Sequence, residues 1–153
     1  MQIRKVIVDA DACPRSCLEI IRNKKNVYGF ELLTVASINH VIDNENHIIV
    51  GSEPDAADYA IVNNTDPGDI IVTQDYGLAA LVLAREAFAL SPSGYIYSND
   101  NIEQLLEHRS LMARYRRMGG KTKGPKKRTE SDNKKFEMAL TILLQNDQWR
   151  IGY

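Results

Sequence analysis

Aspartates follow three apolar, strand-like runs of this sequence. The runs are residues 6–8 before Asp9 and Asp11, residues 70–72 before Asp75, and residues 95–97 before Asp100. Because the carboxyl ends of parallel strands gather at one edge of an α/β sheet, we expect these carboxylates to meet at a single site. Carboxylates held close together repel one another, so the cluster predicts a cation among them. Oxygen ligands with room for water favour Mg²⁺ or Mn²⁺, ions that commonly serve phosphoryl chemistry.

Three further residues extend this acidic set. Asp55 and Asp58 are three residues apart in a predicted helix, so both carboxylates lie on one helix face near its positive end. Thr73 follows the second apolar run, where its hydroxyl would orient Asp75 or a bound phosphate. Aspartate also caps helices that follow strands, so each position has an ordinary structural explanation. The joint pattern favours phosphodiester hydrolysis, in which an ion held by Asp9 and Asp75 activates a water molecule.

Positive charge is concentrated late in the chain. Residues 1–108 contain 16 acidic and 7 basic side chains, whereas residues 109–135 contain 2 acidic and 11 basic ones. A glycine-rich basic loop at about residues 117–131 contains Lys121, Lys123, Lys126, Lys127 and Arg128. Glycines let the backbone approach a phosphate and the cations would neutralise it, so the loop predicts contact with a polyanion. The alternative is an ordinary solvated surface.

The elements that would position these residues alternate between strand and helix. Strands are predicted at residues 3–8, 31–36, 47–50, 70–73 and 95–97, and helices at about 14–23, 52–62, 78–87, 102–118 and 131–145. This alternation predicts an α/β fold with three layers, in which helices cover both faces of a mainly parallel sheet. At 153 residues and 44% hydrophobic composition, the chain is long enough for one domain spanning residues 1–153.

The N-terminal apolar run is too short for a signal peptide or a membrane span. We therefore expect a cytoplasmic protein without a membrane partner. Cys13 and Cys17 are four residues apart beside Pro14, a spacing that fits two thiols on one helix face better than a redox or zinc motif.

Four motifs make the chain resemble the YaiI/YqxD family, which is similar to the PIN-like nucleases. The motifs are VDADACP at residues 8–14, DAAD at 55–58, GDIIVTQD at 68–75 followed by LA at 78–79, and GPK at 124–126 followed by RT at 128–129. The resemblance implies a PIN-like fold. It also implies that Asp9 is the acid after the first strand and that Asp55 or Asp58 is the acid of the mid-chain helix. Thr73 and Asp75 match the Thr-x-Asp motif, whereas the glutamate that PIN domains often carry at a central position is replaced here by aspartates.

The favoured interpretation is a nuclease or related phosphodiesterase that depends on Mg²⁺ or Mn²⁺ and acts on nucleic acid, with RNA as the preferred substrate. Its predicted metal ligands are Asp9, Asp58, Asp75 and Asp100. Its predicted catalytic residues are Asp9, Asp11, Asp55, Asp58, Thr73 and Asp75. The predicted nucleic-acid contacts are Lys121, Lys123, Lys126, Lys127 and Arg128.

Two alternatives fit parts of the pattern. In the first, the chain binds nucleic acid or another polyanion without catalysis, and the basic loop provides the affinity. In the second, the chain is a phosphatase of the haloacid dehalogenase type, with Asp9 as nucleophile and Asp11 as acid/base. Cys13 stands where that family usually has Thr or Val, and the spacing from Asp69 to Asp75 does not match its later acidic motif.

Overall fold

A six-stranded, mainly parallel sheet forms the centre of the molecule. The computed structural model describes residues 4–38, 42–124 and 126–146. The strands are β1 (Lys5–Asp9), β2 (Glu31–Ser37), β3 (His47–Val50), β4 (Ile70–Val72), β5 (Phe88–Leu90) and β6 (Ile96–Tyr97). Their order across the sheet is β3-β2-β1-β4-β5-β6, and only the β5–β6 pair is antiparallel within the described residues.

Helices cover both faces of this sheet. They are α1 (Arg15–Tyr28), α2 (Ala56–Asn63), α3 (Tyr76–Ala84), α4 (Ile102–Arg117) and α5 (Glu130–Leu144). On one face, Ile21 of α1 and Phe136 of α5 belong to the same buried core. On the other face, Leu78 of α3 and Ile102 of α4 belong to a second core, together with Ile61 of α2. The predicted three-layer α/β architecture is therefore confirmed.

The central strands are buried on both sides, which explains their uninterrupted apolar sequence. In β1, Val6, Ile7 and Val8 are fully buried, and their side chains alternate between the two cores. Val8 pairs with Val72 of β4, so both strands end at the same level. The polar residues that follow β1 and β4 are thereby brought to one edge of the sheet, which we call the carboxyl edge.

Four elements differ from the sequence prediction, and one of them, α2, begins at Ala56 instead of at about residue 52, with Asp55 just outside it at a left-handed φ of 64°. Residues 88–90 form a parallel strand that was not predicted, because a short apolar run after a helix continues the helix's own apolar pattern. Helix α3 ends at Ala84, before its predicted end, and Glu86 turns the chain into β5 with a left-handed φ of 65°. Helix α1 continues to Tyr28, beyond its predicted end, and stops where Gly29 adopts a φ of 74°.

The antiparallel direction of β6 decides where the next helix begins. Ser91 and Tyr95 close a tight turn between β5 and β6 through a 2.8 Å backbone hydrogen bond. The end of β6 therefore lies at the opposite edge, where the parallel strands begin, and α4 starts there. Helix α4 then crosses the face of the sheet, and its side chain Arg109 reaches Asp75 at the carboxyl edge.

The basic loop connects α4 to α5. Residues 118–124 and 126–129 contain neither helix nor strand. Helix α5 begins with a capping box, in which Thr129 Oγ1 accepts a hydrogen bond from the Asp132 N–H and the Asp132 carboxylate accepts one from the Thr129 N–H. No helix within the described ranges is long and apolar enough to cross a membrane.

Candidate active site

Five of the predicted acidic residues gather at the carboxyl edge. Asp9 ends β1 and Asp11 lies in the short 3-10 turn that follows, while Asp75 comes after the neighbouring strand β4. Asp55 and Asp58 stand at the start of α2, which packs against β1, β2 and β3. Four of the five, all but Asp9, line one cleft of about 300 Å³. We call this the acidic cleft.

Thr73 connects Asp9 to Asp75. Its hydroxyl donates a 3.0 Å hydrogen bond to Asp9 Oδ2 and accepts a 3.0 Å hydrogen bond from the Asp75 backbone N–H. The Thr73 side chain is buried, and its hydroxyl satisfies its hydrogen-bond donor and an acceptor site within the protein. These bonds fix the end of β1 relative to the start of α3.

Asp75 also caps helix α3. Its Oδ1 accepts hydrogen bonds from the backbone N–H groups of Gly77 at 2.8 Å and Leu78 at 3.2 Å. Arg109 Nη1 approaches the same oxygen at 3.4 Å. Because the Asp75 and Arg109 side chains are 41% and 56% exposed, this ion pair compensates the Asp75 charge only weakly.

Asp11 is held by the end of β2. Its Oδ1 and Oδ2 accept hydrogen bonds of 3.1 and 3.0 Å from the Ser37 backbone N–H, and Oδ1 also lies 3.3 Å from the Ser37 hydroxyl. These contacts tie the turn after β1 to the neighbouring strand. They position Asp11 at the rim of the acidic cleft.

The carboxylates at this edge repel one another. Burial raises the pKa of Asp9, and the charges of Asp11 and Asp75 add to this effect, while the hydrogen bond from Thr73 opposes it. Burial and the charges of Asp75, Asp9 and Asp55 raise the pKa of Asp58 to about 6. Asp58 therefore exchanges its proton near neutral pH, and the cleft concentrates negative charge that favours a cation.

The donor set fits a hydrated divalent cation rather than a closed protein cage. Among the described residues, no three His, Cys, Asp or Glu side chains converge closely enough to hold a metal ion. Mg²⁺ usually keeps several waters and is often bound through only one or two carboxylates. Asp9, Asp58 and Asp75, whose charges act on one another, are the residues that would hold such an ion, one or two of them directly and the rest through bound water.

Asp100 does not belong to this site, and its prediction as a fourth metal ligand was wrong. The prediction assumed that all strands run in one direction, whereas β6 is antiparallel. Ser98 and Asn99, just before Asp100, line a pocket together with Pro67 and Gly68, which precede β4. Asp100 therefore lies at the opposite edge of the sheet from Asp9.

The predicted nucleic-acid contacts fall into two groups. Lys121, Lys123, Lys126 and Lys127 are exposed. Arg128 is partly buried, and its guanidinium donates hydrogen bonds to Ser16 Oγ at 3.1 Å, Asn133 Oδ1 at 2.7 Å, the Pro92 carbonyl at 2.7 Å and Cys17 Sγ at 2.9 Å. Arg128 therefore anchors the end of the basic loop, whereas the lysines face solvent.

A second cleft, of about 580 Å³, continues the carboxyl edge past β4, and it was not predicted from the sequence. We call it the tyrosine cleft, because Tyr76, Tyr95 and Tyr97 line it. Residues 95–97 were predicted only as a strand. The pattern Tyr-x-Tyr directly after a Ser-Pro-Ser-Gly turn, with another tyrosine next to Asp75, was the available signal.

Comparison with known proteins places the chain in a family. The family model described as "Uncharacterized BCR, YaiI/YqxD family" matches residues 7–146. The UPF0178 protein of Heliobacterium modesticaldum is 45% identical over 92% of this chain and 97% of its own length. The UPF0178 protein of Alkaliphilus metalliredigens is 46% identical over 92% of both chains.

A UPF0178 protein of Clostridium novyi is 48% identical over 84% of this chain and 87% of its own length. No solved structure matched the chain. The region matched by the family model contains the acidic cleft, the tyrosine cleft and the basic loop. The chain belongs to the YaiI/YqxD family.

Proposed function

We propose that the carboxyl edge hydrolyses phosphodiester bonds of nucleic acid with the help of Mg²⁺ or Mn²⁺, and that RNA is the preferred substrate. The gathering of Asp11, Asp55, Asp58 and Asp75 around one cleft beside Asp9 carries this proposal. Burial, together with the charges of neighbouring carboxylates, raises the pKa values of Asp9 and Asp58. Such crowding opposes folding unless a cation offsets it. A bound divalent ion supplies charge neutralisation at phosphate and a more acidic water.

The residues around the cation have distinct roles in this proposal. Asp9, Asp58 and Asp75 would hold the ion, directly or through bound water, and Thr73 keeps Asp9 and Asp75 at a fixed separation. Arg109 lies next to Asp75 and is more than half exposed, so its guanidinium is available to a phosphate on the rim of the cleft.

The direct test is cleavage of an end-labelled single-stranded RNA with Mg²⁺ or Mn²⁺ by the wild type and by Asp75→Asn. Asparagine caps helices as well as aspartate does, so the variant keeps the fold while losing one anionic ligand. We expect metal-dependent cleavage to fall by at least about 100-fold, beyond the usual cost of altering an outer-shell metal partner. Calorimetric titration with each metal should show weaker binding in parallel.

Asp100→Asn is the matched control, because it removes the same charge at the opposite edge of the sheet. This variant should cleave like the wild type. Equal loss in both variants, or full activity in Asp75→Asn, would contradict the proposed site. Parallel assays with the diester bis(p-nitrophenyl) phosphate and the monoester p-nitrophenyl phosphate distinguish a phosphodiesterase from a haloacid dehalogenase-type phosphatase. Only the phosphatase prefers the monoester.

A second candidate is a non-catalytic polyanion-binding module. The observation in its favour is the exposed lysine group of the basic loop, together with the lack of three converging metal ligands in the described part of the chain. This candidate predicts RNA binding that is strong at low salt, unaffected by Asp75→Asn, and never followed by cleavage.

A further inference from the structure

The tyrosine cleft lies directly beside the acidic cleft. Asp75 lines the acidic cleft, while its neighbours Gln74 and Tyr76 line the tyrosine cleft. The two clefts therefore share one short segment at the end of β4. A ligand that extends along the carboxyl edge would contact both.

The three tyrosines form a connected aromatic group. Tyr97 is buried, and its ring meets the rings of Tyr76 and Tyr95 edge-on, with centroid distances of 5.9 and 5.6 Å. The Tyr97 hydroxyl donates a hydrogen bond to the Thr73 carbonyl, which fixes the central ring. Tyr95 is 44% exposed, so part of its ring is available to a ligand.

The backbone that carries Tyr95 is fixed as well. The Tyr95 N–H donates a 3.0 Å hydrogen bond to Ser91 Oγ. Gly94 has a φ of 89°, and a Cβ at this position would lie 2.6 Å from the Lys135 carbonyl of α5. The turn is therefore packed directly on α5, and Tyr95 is presented from a rigid support.

The basic side of the tyrosine cleft comes from the basic loop. Lys126 is exposed and lines the cleft together with Arg128. Arg128 is bonded to the Pro92 carbonyl and to Asn133, so it holds the loop against the cleft. Among the described residues of the lining, the one carboxylate, Asp132, is engaged in the capping box of α5. Aromatic rings beside an exposed cation are the combination that binds a base and its phosphate.

We infer that the tyrosine cleft holds one base of a single-stranded nucleic acid, stacked on Tyr95, while the adjacent phosphodiester reaches the acidic cleft. This inference rests on the proposed function, and it names the substrate as single-stranded. A base inside a duplex cannot offer its face to Tyr95, because neighbouring bases cover it. The volume of about 580 Å³ lies within the range of small-molecule sites and accommodates a nucleotide.

The test measures binding and cleavage separately. Binding of fluorescein-labelled pentauridylate RNA is followed by anisotropy in EDTA, where cleavage is absent, for the wild type, Tyr95→Ala and Tyr95→Phe. We expect roughly tenfold weaker binding for Tyr95→Ala, in line with the loss of one stacked base, and no change for Tyr95→Phe, which keeps the ring. Tyr59→Ala is the control, because Tyr59 is 67% exposed and lines neither cleft.

Each outcome decides a different point. Unchanged binding of Tyr95→Ala, or equal binding of a blunt RNA duplex, would overturn the inference. Equal affinity for uridine monophosphate and for the oligonucleotide would also overturn it, because the cleft would then take free nucleotides. Tyr95-dependent binding without any metal-dependent cleavage would reject the proposed hydrolysis and support the base-binding cleft. RNA cleavage combined with binding that does not depend on Tyr95 would reject the base-binding role of the tyrosine cleft and leave the proposed hydrolysis standing.

Discussion

Asp75 shows how one residue at the carboxyl edge serves both the fold and the candidate site. Its Oδ1 caps α3 through Gly77 and Leu78, so a purely structural explanation accounts for that oxygen. The charge of the same carboxylate adds to the burial that raises the pKa values of Asp9 and Asp58, which no capping role requires. A substitution that keeps the cap and removes the charge, such as Asp75→Asn, therefore separates the two roles.

Asp58 makes a pH-dependent contribution to stability. Its pKa is about 6 in the folded protein against an ordinary 3.8, so the folded state binds more protons than the unfolded chain between these values. The stability contributed by protonated Asp58 is complete below pH 3.8 and is lost as the pH rises through about 6. Asp58→Asn should therefore raise the free energy of unfolding at pH 7 by about 1 kcal/mol, a value reduced for solvent screening.

Urea unfolding at pH 7 and pH 3.5 checks this prediction. The difference between Asp58→Asn and the wild type should be present at the higher pH and absent at the lower one. Asp100→Asn, which removes the same charge at the opposite edge, is the matched control. If Asp58→Asn is no more stable than the wild type at pH 7, the carboxylates at this edge do not destabilise the folded protein through ionised Asp58.

Residue types predicted the acidic cleft better than the tyrosine cleft. Asp9 and Asp75 were identified because carboxylates that follow parallel strands meet at one edge of a sheet, and Asp55 and Asp58 because their spacing places both near the start of a helix. Tyr95 carried no such signal, since a tyrosine before an apolar residue is an ordinary strand residue. Its exposure comes from the turn that precedes it and from the packing of that turn on α5, which only the folded structure supplies.

Among the elements, strand direction determined which sequence predictions failed. The strands flanking β1 follow the βα alternation, so their direction could be predicted from the sequence. The pair β5 and β6 is joined by a tight turn, and β5 itself is three residues long, so the antiparallel hairpin was missed. Asp100 was misplaced for this reason alone. A hairpin this short has no periodicity long enough to distinguish it from a helix end.

A charged clamp joins β1 and β4 at the edge opposite the candidate site. Buried Asp69 accepts hydrogen bonds from the Lys5 N–H at 3.1 Å and the Asp66 N–H at 2.8 Å, and Lys5 Nζ lies 2.8 Å from its carboxylate. Asp69→Ala should lower the free energy of unfolding by about 3 kcal/mol, because it leaves two N–H groups without their acceptor and leaves Lys5 with only the exposed carboxylate of Asp66.

Denaturant unfolding measures the loss of stability in Asp69→Ala. RNA cleavage by this variant below its melting temperature should stay at the wild-type level. Asp66→Ala is the control, since the Asp66 side chain is 53% exposed. Its exposed pair with Lys5 is worth less than about 1 kcal/mol. An Asp69→Ala variant as stable as Asp66→Ala would show that the clamp does not hold the strands together.

Across the whole molecule, opposite charges are separated along the carboxyl edge. The acidic cleft lies over β3, β2, β1 and β4, and the basic loop meets the tyrosine cleft over β4, β5 and β6. A polyanion is attracted to the basic side and repelled from the acidic side unless a cation is bound there. Affinity for RNA should therefore increase when Mg²⁺ is added.

The basic loop allows a matched pair of substitutions. Changing Lys126 and Lys127 together to Ala should reduce the slope of log affinity against log salt by about 1.4, or 0.7 for each lost phosphate contact, with the melting temperature unchanged. Arg128→Ala should instead lower the free energy of unfolding by about 2 kcal/mol, because it leaves buried acceptors unpaired. RNA binding measured at 50 to 300 mM salt tests the lysine pair, and thermal unfolding tests Arg128. An unchanged salt slope would show that the two lysines make no phosphate contact and are ordinary surface residues.

Because the chain reverses direction at β6, the length of α4 determines where its cationic C-terminal end lies. The helix starts at the far edge and runs for 16 residues, about 24 Å at 1.5 Å per residue, whereas β1 runs for five residues, about 17 Å. The eighth residue of the helix, Arg109, contacts Asp75, so the remaining eight residues, about 12 Å of helix, continue beyond that contact. The length of α4 sets how far Arg114, Arg116 and Arg117 stand from the acidic cleft, and a turn inserted after Arg109 would move this cationic end about 5.4 Å further along the helix axis without altering any residue of the candidate site.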